Sequence, residues 1–556
     1  MDRVKINVNG TDFEVDAGQN VLSACRSIGV EIPFFCYHER LKVAGSCRMC
    51  LVSVGTPARD RNTGEIVKNE DGSVKIAWLP KPSIACGTNV SEGMNIVTDS
   101  EAIRQCRGSI LEFLLLNHPL DCPICDKAGE CKLQEYANAY GNGVSRFCES
   151  KNVKPKRREV AGKIILDSER CILCSRCVRF CEEVIGRPIF GFTKRGSKTE
   201  ISVYPGGDND SNYLLNAVDI CPVGALTEKA FRFQMRAWFL RTARSISPES
   251  SAGTNTTVWT REGRIYRVTP RDNEFVNGSW MSDSGRYFHI GRGERLSGAR
   301  LDSSACDLSY AIDRCVEILG LSDFAIVASA FQTVEEMFLL KELARAAGAP
   351  VHMVSHLGED DGFLVSADKT PNLRGALVTG LISEYPPDNL GALAEKIDSG
   401  EIKTVLCFDE DLKLLGLGSQ HFKKANVIFC SSVENSSAVG AKVCVPLESE
   451  TEKGGIWINR QFRMQRFEAA VERPKWAASA VEFLSQLLCR IGGADFDTPD
   501  VGLLRSVIAG RVPQLGGCAD IPDCGALIDA SAFAGVKFPE KAAFKFDPAS
   551  VGANGG

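Results

Sequence analysis

Residues 169–180 read ER-C-IL-C-SR-C-VRF, so that Cys171, Cys174 and Cys177 are each separated by two residues, and a fourth cysteine, Cys221, stands directly before Pro222. A C-x2-C-x2-C run with a remote C-P is how a chain wraps three corners of a [4Fe–4S] cube and closes the fourth from elsewhere. Zinc is the rival occupant, but zinc sites favour paired C-x2-C units, and a triple run is crowded around one tetrahedral ion. The spacing favours iron–sulfur. Cys181 extends the run to C-x2-C-x2-C-x3-C. In two-cluster ferredoxins that last cysteine serves a second cube. No second triple run follows downstream, so Cys181 reads as a buried spare.

The chain has 556 residues, room for several domains, and 23 cysteines, fifteen of them before residue 222. Disulfides in a secreted protein would be one explanation for so many. MDRVKINVNG enters a strand pattern at once, so no signal or transit peptide is expected, and the tight C-x2-C spacings favour metal ligation in a reducing compartment. The net charge of -5 is mild and argues for neither nucleic acid nor an anionic membrane surface. The longest apolar candidate, 110–116, is broken by Glu112 and falls short of the ~18 residues of a span.

At the N-terminus Val4, Ile6 and Val8 alternate with polar residues, Asn9-Gly10 signals a hairpin, and Phe13 and Val15 resume the alternation. Val21, Leu22, Ala24 and Cys25 then recur at helical spacing up to Gly29. Strand, turn, strand, helix is the opening of a β-grasp ferredoxin. Cys36, Cys47, Cys50 and Cys86 follow within the same module. Two close sulfurs, one earlier and one late, suit a [2Fe–2S] cluster, although C-x4-C is the usual plant-type opening. Gly45, Ser46 and Arg48 keep the loop small and polar, so backbone N–H groups can face the sulfides. Cys25 belongs with the core. Residues 55–78 read as a polar insertion with a surface hairpin at Asp71-Gly72.

Ile103, Ile110, Leu111, Leu114 and Leu115 form a helical stripe that delivers His118, Cys122, Cys125 and Cys131. H-x3-C-x2-C-x5-C supplies four ligands, and on spacing alone zinc and a cluster weigh equally. The neighbouring cluster motifs tilt it to iron–sulfur. Imidazole in place of thiolate leaves a cluster less negative and raises its potential. Cys106 and Cys148 have no partner at ligand spacing. Residues 151–159, KNVKPKRRE, read as a solvated basic linker or a docking strip.

FCYHERLKVAGSCRMCLV, LLLNHPLDCPICDKAGECKLQEYA and CILCSRCVRFCEE with DICPVGALT together resemble the large iron–sulfur subunit family of respiratory complex I, the G subunit of NADH-quinone oxidoreductase, over roughly the first 230 residues. The resemblance implies one [2Fe–2S] cluster on Cys36, Cys47, Cys50 and Cys86, one [4Fe–4S] on His118, Cys122, Cys125 and Cys131, and another on Cys171, Cys174, Cys177 and Cys221. It implies electron transfer from an NADH- and FMN-binding subunit toward quinone. Partners would be that flavin subunit, a thioredoxin-like [2Fe–2S] subunit and a ferredoxin-like subunit with two [4Fe–4S] clusters. The place would be the peripheral arm on the cytoplasmic side of a bacterial inner membrane, or the matrix side of an organelle. Some bacterial members carry a further cluster on a C-x2-C-x3-C segment; the corresponding stretch here, 245–256, has no cysteine, and that cluster is expected to be absent. A diaphorase-side subunit of a NAD-linked hydrogenase or formate dehydrogenase is the alternative, and a zinc-stabilised scaffold a more distant one. No G-x-G-x-x-G follows a strand to hold NADH or FMN.

The expected domains are therefore 1–95, a β-grasp [2Fe–2S] domain; 96–150, the [4Fe–4S] segment with one histidine and three cysteines; 151–230, the four-cysteine [4Fe–4S] domain; 231–295, a small β domain with a hairpin over 257–268; and 296–540, a doubly wound α/β domain. Short strands at 324–328, 351–354, 404–408 and 426–429 alternate with helices such as 334–347. Residues 448–467 resemble molybdopterin oxidoreductases. None of the cysteines from Cys306 to Cys524 is followed by His, as a molybdenum ligand pattern would need, so this domain is expected to be cofactor-free. Residues 541–556 form a tail.

Overall fold

The computed structural model describes residues 2–60, 62–205, 209–291, 293–492 and 500–540; the tail at 541–556 lies outside them. The chain divides into two compact units, one ending at Phe239 and the other beginning at Leu240.

In the first unit the N-terminal hairpin pairs Arg3–Val8 with Thr11–Asp16, and Asn9 and Gly10 turn it at φ 52° and 89°. Left-handed conformations at both positions match the strand twist, and Asn-Gly adopts them at little cost. Alternation buries Ile6, Val8 and Val15 against the helix Val21–Ser27, whose N–H of Ser23 is capped by the Asn20 side chain at 2.9 Å. Met94–Val97 lies parallel to the first strand and antiparallel to Leu51–Pro57. The polar insertion continues outward from Leu51–Pro57: Gly55 to Pro57 pair with Ile76–Trp78, and the Asp71-Gly72 turn closes it with Gly72 at φ 83°.

Ser100 caps the helix Glu101–Leu115, which buries Ile103 and Leu111 as the stripe requires. It also buries Arg107. That guanidinium donates to the carbonyls of Thr98 and Leu51 at 2.9 and 3.3 Å and lies 5.1 Å from the Tyr140 ring, tying the helix to the sheet. Residues 151–156 form no helix or strand and are largely exposed, as a solvated linker would be, yet their lysines are tied down. Lys151 donates to the carbonyls of Leu115 and Leu116, both at 2.9 Å, at the helix C-terminus, and Lys156 pairs with Asp121 and Glu169 at 2.8 Å. A lysine at a helix C-terminus meets carbonyls that have no helical partner.

The rest of the first unit pairs Ile164–Leu166 with Leu226–Glu228 on one side and Arg158–Val160 on the other. The cysteine-rich loop leads into the helix Arg176–Phe180, then one wide π-helical turn, Cys181–Ile185. Cys181 is fully buried there, and burial pushes its thiol up to about 12.

In the second unit Arg241–Ile246, Asn255–Arg261 and Arg264–Pro270 form an antiparallel sheet, and the hairpin expected over 257–268 turns at Glu262-Gly263. A seven-stranded sheet follows. Five strands, Val443–Pro446, Asn426–Ser431, Thr404–Phe408, Phe324–Val327 and Val351–His352, lie parallel in that order, and Arg300–Leu301 and Ser304–Ala305 complete one edge antiparallel. Alternate residues feed two cores. Ile326, Leu406, Phe408 and Ile428 face the helices Val334–Ala347 and Ala480–Gly492, while Val327, Val405, Val427 and Phe429 face Gly391–Asp398. Both faces are covered, which is why these strands read as continuous apolar runs. In Val334–Ala347 the first-turn glutamates Glu335 and Glu336 do more than meet the helix dipole. Glu336 completes a capping box with Thr333 and pairs with buried Lys453 at 2.8 Å; Glu335 pairs with Arg505 at 2.7 Å.

Candidate metal centres

The first centre forms where the sheet ends. Cys36, Cys50 and Cys86 are buried and Cys47 half-buried. Cys50 Sγ lies 3.4 Å from Cys86 Sγ, and Cys36 contacts both Cys47 and Cys86. Those contacts hold the Cys36 thiol well below the usual range and push the Cys47 and Cys86 thiols up, as expected of sulfurs crowded around one space. The Phe35 N–H points at Cys47 Sγ at 3.4 Å, and the N–H of Ala85 faces Cys50. Arg48 takes φ 58° between the paired cysteines, which bends the loop around the sulfurs.

In the third motif Cys171, Cys174, Cys177 and Cys221 line one cavity, closed by Leu166, Ile172, Ile201 and Val223. Leu173 and Ser175, on either side of Cys174, take left-handed conformations at φ 56° and 61°. Such residues cost about 1 kcal/mol each. Here they turn backbone donors inward: the Leu173 N–H faces Cys171 Sγ at 3.4 Å, and the Arg176 N–H faces Cys174. Burial pushes the Cys171 thiol up to about 12 and the Cys174 thiol up to about 11.

The second set is looser. Cys122 is exposed, while Cys125 and Cys131 are half-buried and interact electrostatically. Backbone N–H groups face both: Lys127 toward Cys125, Leu133 and Gln134 toward Cys131. His118 is surrounded by Lys151, Arg170 and Asp121; burial, then the two cations, pull its imidazole down to about 4. Its Nδ1 is buried without a hydrogen-bond partner. A neutral ring with an unused buried nitrogen is the form in which histidine ligates a metal. Among the described residues no group of three or more His, Cys, Asp or Glu side chains is gathered so as to hold a metal ion. The thiols of the first set nevertheless contact one another, and those of the third line one cavity. In every set N–H donors are aimed at sulfur, a provision that suits thiolates and bridging sulfides, although buried Cys181 and Cys407 receive backbone donors as well.

The sets are joined through residues that motif spacing did not single out. Arg176 and Arg179 sit inside and just after the triple-cysteine run. Arg176 donates to the carbonyls of Ile220 at 2.8 Å and Tyr37 at 2.5 Å; Arg179 donates to the Cys36 carbonyl at 2.5 Å and to that of Lys42. The third set is thereby clamped onto the first. On the other side, the segment after Cys221 touches the second set: Cys131 Sγ lies 3.9 Å from the Pro222 carbonyl, and a Cβ on Gly224 would overlap Cys125 Sγ. Arg170, buried between them, bonds Asp121 at 3.0 Å and Asp167 at 3.3 Å. The basic residues between the cysteines were the available signal in the sequence.

Four family models match in series. Residues 1–101 match a 2Fe-2S iron-sulfur cluster binding domain, 107–146 the NADH-ubiquinone oxidoreductase-G iron-sulfur binding region, 162–227 the ferredoxin-like domain of NADH-quinone oxidoreductase subunit 3, and 240–289 the NDSU1/NuoG-like 4Fe-4S domain. The last matched segment contains no cysteine. The chain is 38% identical over 362 residues to the G subunit of NADH-quinone oxidoreductase from Rickettsia felis, covering 63% of this chain and 50% of the relative. It is 36% identical over 384 residues to the NADH-ubiquinone oxidoreductase 75 kDa subunit of Reclinomonas americana, covering 66% and 52%. A chain of a NAD+-reducing [NiFe]-hydrogenase structure is 28% identical, with TM-score 0.34, over 42% of this chain and 91% of that one. The fold and its thiol-lined sites are those of a multidomain iron–sulfur protein with 2Fe-2S and 4Fe-4S binding domains. Within that class, the chain belongs to the family of the NADH-quinone oxidoreductase G subunit, also called the 75 kDa subunit. It spans about half the length of the curated relatives it matches. Among the described residues no helix is long and apolar enough to cross a membrane.

Proposed function

We propose that this chain is the iron–sulfur relay of an NADH:quinone oxidoreductase, carrying electrons from an NADH- and FMN-binding subunit toward quinone. Cys36, Cys47, Cys50 and Cys86 hold a [2Fe–2S] cluster. His118, Cys122, Cys125 and Cys131 hold one [4Fe–4S] cluster; Cys171, Cys174, Cys177 and Cys221 hold another. These clusters supply the one-electron chemistry when bound. The chain's own residues space them, donate N–H groups to sulfur and exclude water. The convergence of four cysteines from two distant segments on one apolar cavity, at 171–177 and 221, carries this reading. Binding of FMN, NADH, molybdenum or a fourth cluster lies outside its role. The absence of cysteine from 240–289 supports the last point.

The contacts through Arg176, Arg179 and the Pro222–Gly224 segment support an electron path in the order first set, third set, second set. Exposed Cys122 then makes the His118 centre the exit toward a ferredoxin-like subunit with two [4Fe–4S] clusters, in the peripheral arm beside the membrane. The α/β portion of the second unit reads as a doubly wound domain resembling a cofactor-free molybdopterin oxidoreductase, and the first module as a β-grasp. Metal and acid-labile sulfide analysis of anaerobically isolated protein tests the proposal. One two-iron and two four-iron clusters give about ten irons with matching sulfide per chain. Zinc in place of iron would refute the cluster reading.

A further inference from the structure

The second unit contains a buried charged site that electron transfer does not use. Arg374, in the helix Leu373–Thr379, has a side chain only 2% exposed. Its Nη1 donates to Asp368 Oδ2 at 2.7 Å and its Nη2 to Glu540 Oε2 at 2.7 Å. The other carboxylate oxygen of Glu540 accepts from Ser251 Oγ at 2.9 Å and Ser366 Oγ at 3.0 Å. Both serines are fully buried. Phe538 lays its ring 4.1 Å from the guanidinium carbon.

The two sides of this contact differ in kind. The donors come from three separate segments of the packed body, and they converge on one pair of oxygens. Asp368, which takes one edge of the guanidinium, is itself held by the hydroxyl and N–H of Thr370 at 2.6 and 3.1 Å. The acceptor arrives on 534–540, a strap without helix or strand that follows the single turn Ser531–Phe533. Ser251 Oγ also lies 2.9 Å from Ser366 Oγ, which can accept from it, so taking away the strap's carboxylate leaves one buried hydroxyl and one face of a buried guanidinium without an acceptor. The guanidinium Nε, also buried, already has none. Buried donors left in that condition are costly, and an anion is what removes the cost. One oxygen facing the guanidinium and the other facing two hydroxyls is a planar, two-oxygen arrangement, which selects a carboxylate.

We propose that Arg374, Ser251 and Ser366 form a binding site for a small carboxylate, and that Glu540 is a tethered ligand filling it, so that the strap is a plug. The tether gives Glu540 a high effective concentration, so free carboxylate enters appreciably only when the plug's own group is removed.

Chemical rescue of the full chain tests this. Glu540→Ala is expected to lower the thermal midpoint of the second unit. Sodium acetate at about 100 mM should raise that midpoint by about 2 °C or more relative to chloride, by binding only the native state, and leave the wild type unmoved. Adding Ser366→Ala should abolish the rescue. Equal acetate effects on wild type and variant, no effect on either, or rescue by inorganic phosphate and not by acetate would overturn the proposal. If Glu540→Ala does not accumulate, Glu540→Gln keeps the bulk. Its strap should then be cleaved faster by protease in acetate than in chloride, and equal rates would count against the plug.

Discussion

Arg176 offers the sharpest test of how the protein tunes its relay. Its guanidinium is buried, donates to the carbonyls of Ile220 and Tyr37, and faces the thiols of Cys174 and Cys221 electrostatically. Each carbonyl belongs to a residue adjoining a proposed ligand, Cys221 in one case and Cys36 in the other. Two charge-assisted bonds at about 1.5–3 kcal/mol each set the gross loss on Arg176→Gln at about 3–6 kcal/mol. Truncation also releases the desolvation cost of the buried cation, so the net destabilisation should be about 2–3 kcal/mol. The electrostatic effect is separate. At about 7 Å and an effective dielectric of about 20, a unit charge interacts with the electron added to the cluster by about 2 kcal/mol. For a one-electron couple that is about 100 mV. Removing the positive charge makes reduction harder, so the midpoint potential of the cluster at Cys171–Cys221 should fall by up to about 100 mV in Arg176→Gln and by far less in Arg176→Lys. Redox titration followed by electron paramagnetic resonance reads it directly. A fully retained cluster whose potential moves by less than about 20 mV, or upward, would refute the electrostatic argument.

Cys174→Ser should remove one [4Fe–4S] resonance and leave the [2Fe–2S] signal intact; loss of neither contradicts the ligand set. His118→Ala should damage the other cube, and an unchanged spectrum and potential would show that a different residue ligates it. Gly224→Ala drives a methyl into Cys125 Sγ, so we expect about 1–3 kcal/mol of strain and loss of iron from the second set alone, measured by iron content and spectrum. Burial pushes the Glu448 carboxyl from 4.5 up to about 7, so the folded chain holds a proton there that the unfolded chain has released. That contribution is complete below pH 4.5 and lost as pH rises through 7. It amounts to about 3 kcal/mol, and Glu448→Gln should flatten the pH dependence of urea unfolding across that window; parallel curves for variant and wild type would refute it.

Short-range chemistry was legible in the sequence, and long-range chemistry was not. Asn9-Gly10, Asp71-Gly72 and Glu262-Gly263 turn where their conformational preferences place them, and the helix Val334–Ala347 and the strand Thr404–Phe408 have the bounds their apolar patterns require. Arg107 escaped notice because it occupies the buried stripe of its helix, where a cation is not expected until its carbonyl partners at Leu51 and Thr98 are known. Lys151 and Lys156 are exposed, as their sequence suggests, but their partners at Leu115 and Asp121 lie more than thirty residues away and leave no local trace. Arg374 and Glu540 are separated by 166 positions, and no local pattern distinguishes either from a surface residue.

The proposed electron path does not follow the order of the three cysteine sets along the chain, and the reason is the late cysteine, Cys221. A cube held by 171–177 alone would leave one corner open. Closing it from a segment forty-four positions on brings Pro222 and Gly224 against Cys131 and Cys125, while the helix beginning at Arg176 reaches back to Tyr37 and Cys36. The segment after Cys221 and the clamping arginines thus put the third set in contact with both others, while Phe34 and Phe35, beside Cys36, also meet Tyr136 on the helix that follows Cys131. Electron tunnelling follows proximity rather than sequence, so the relay proposed above, entering at the N-terminal module, would continue through Cys171–Cys221 and only then to His118. A variant lacking the Cys171–Cys221 cluster should therefore keep both remaining clusters yet fail to pass electrons between them. Reduction of the His118 cluster in step with the [2Fe–2S] cluster in such a variant would show that a direct path exists and that the middle position has been misassigned.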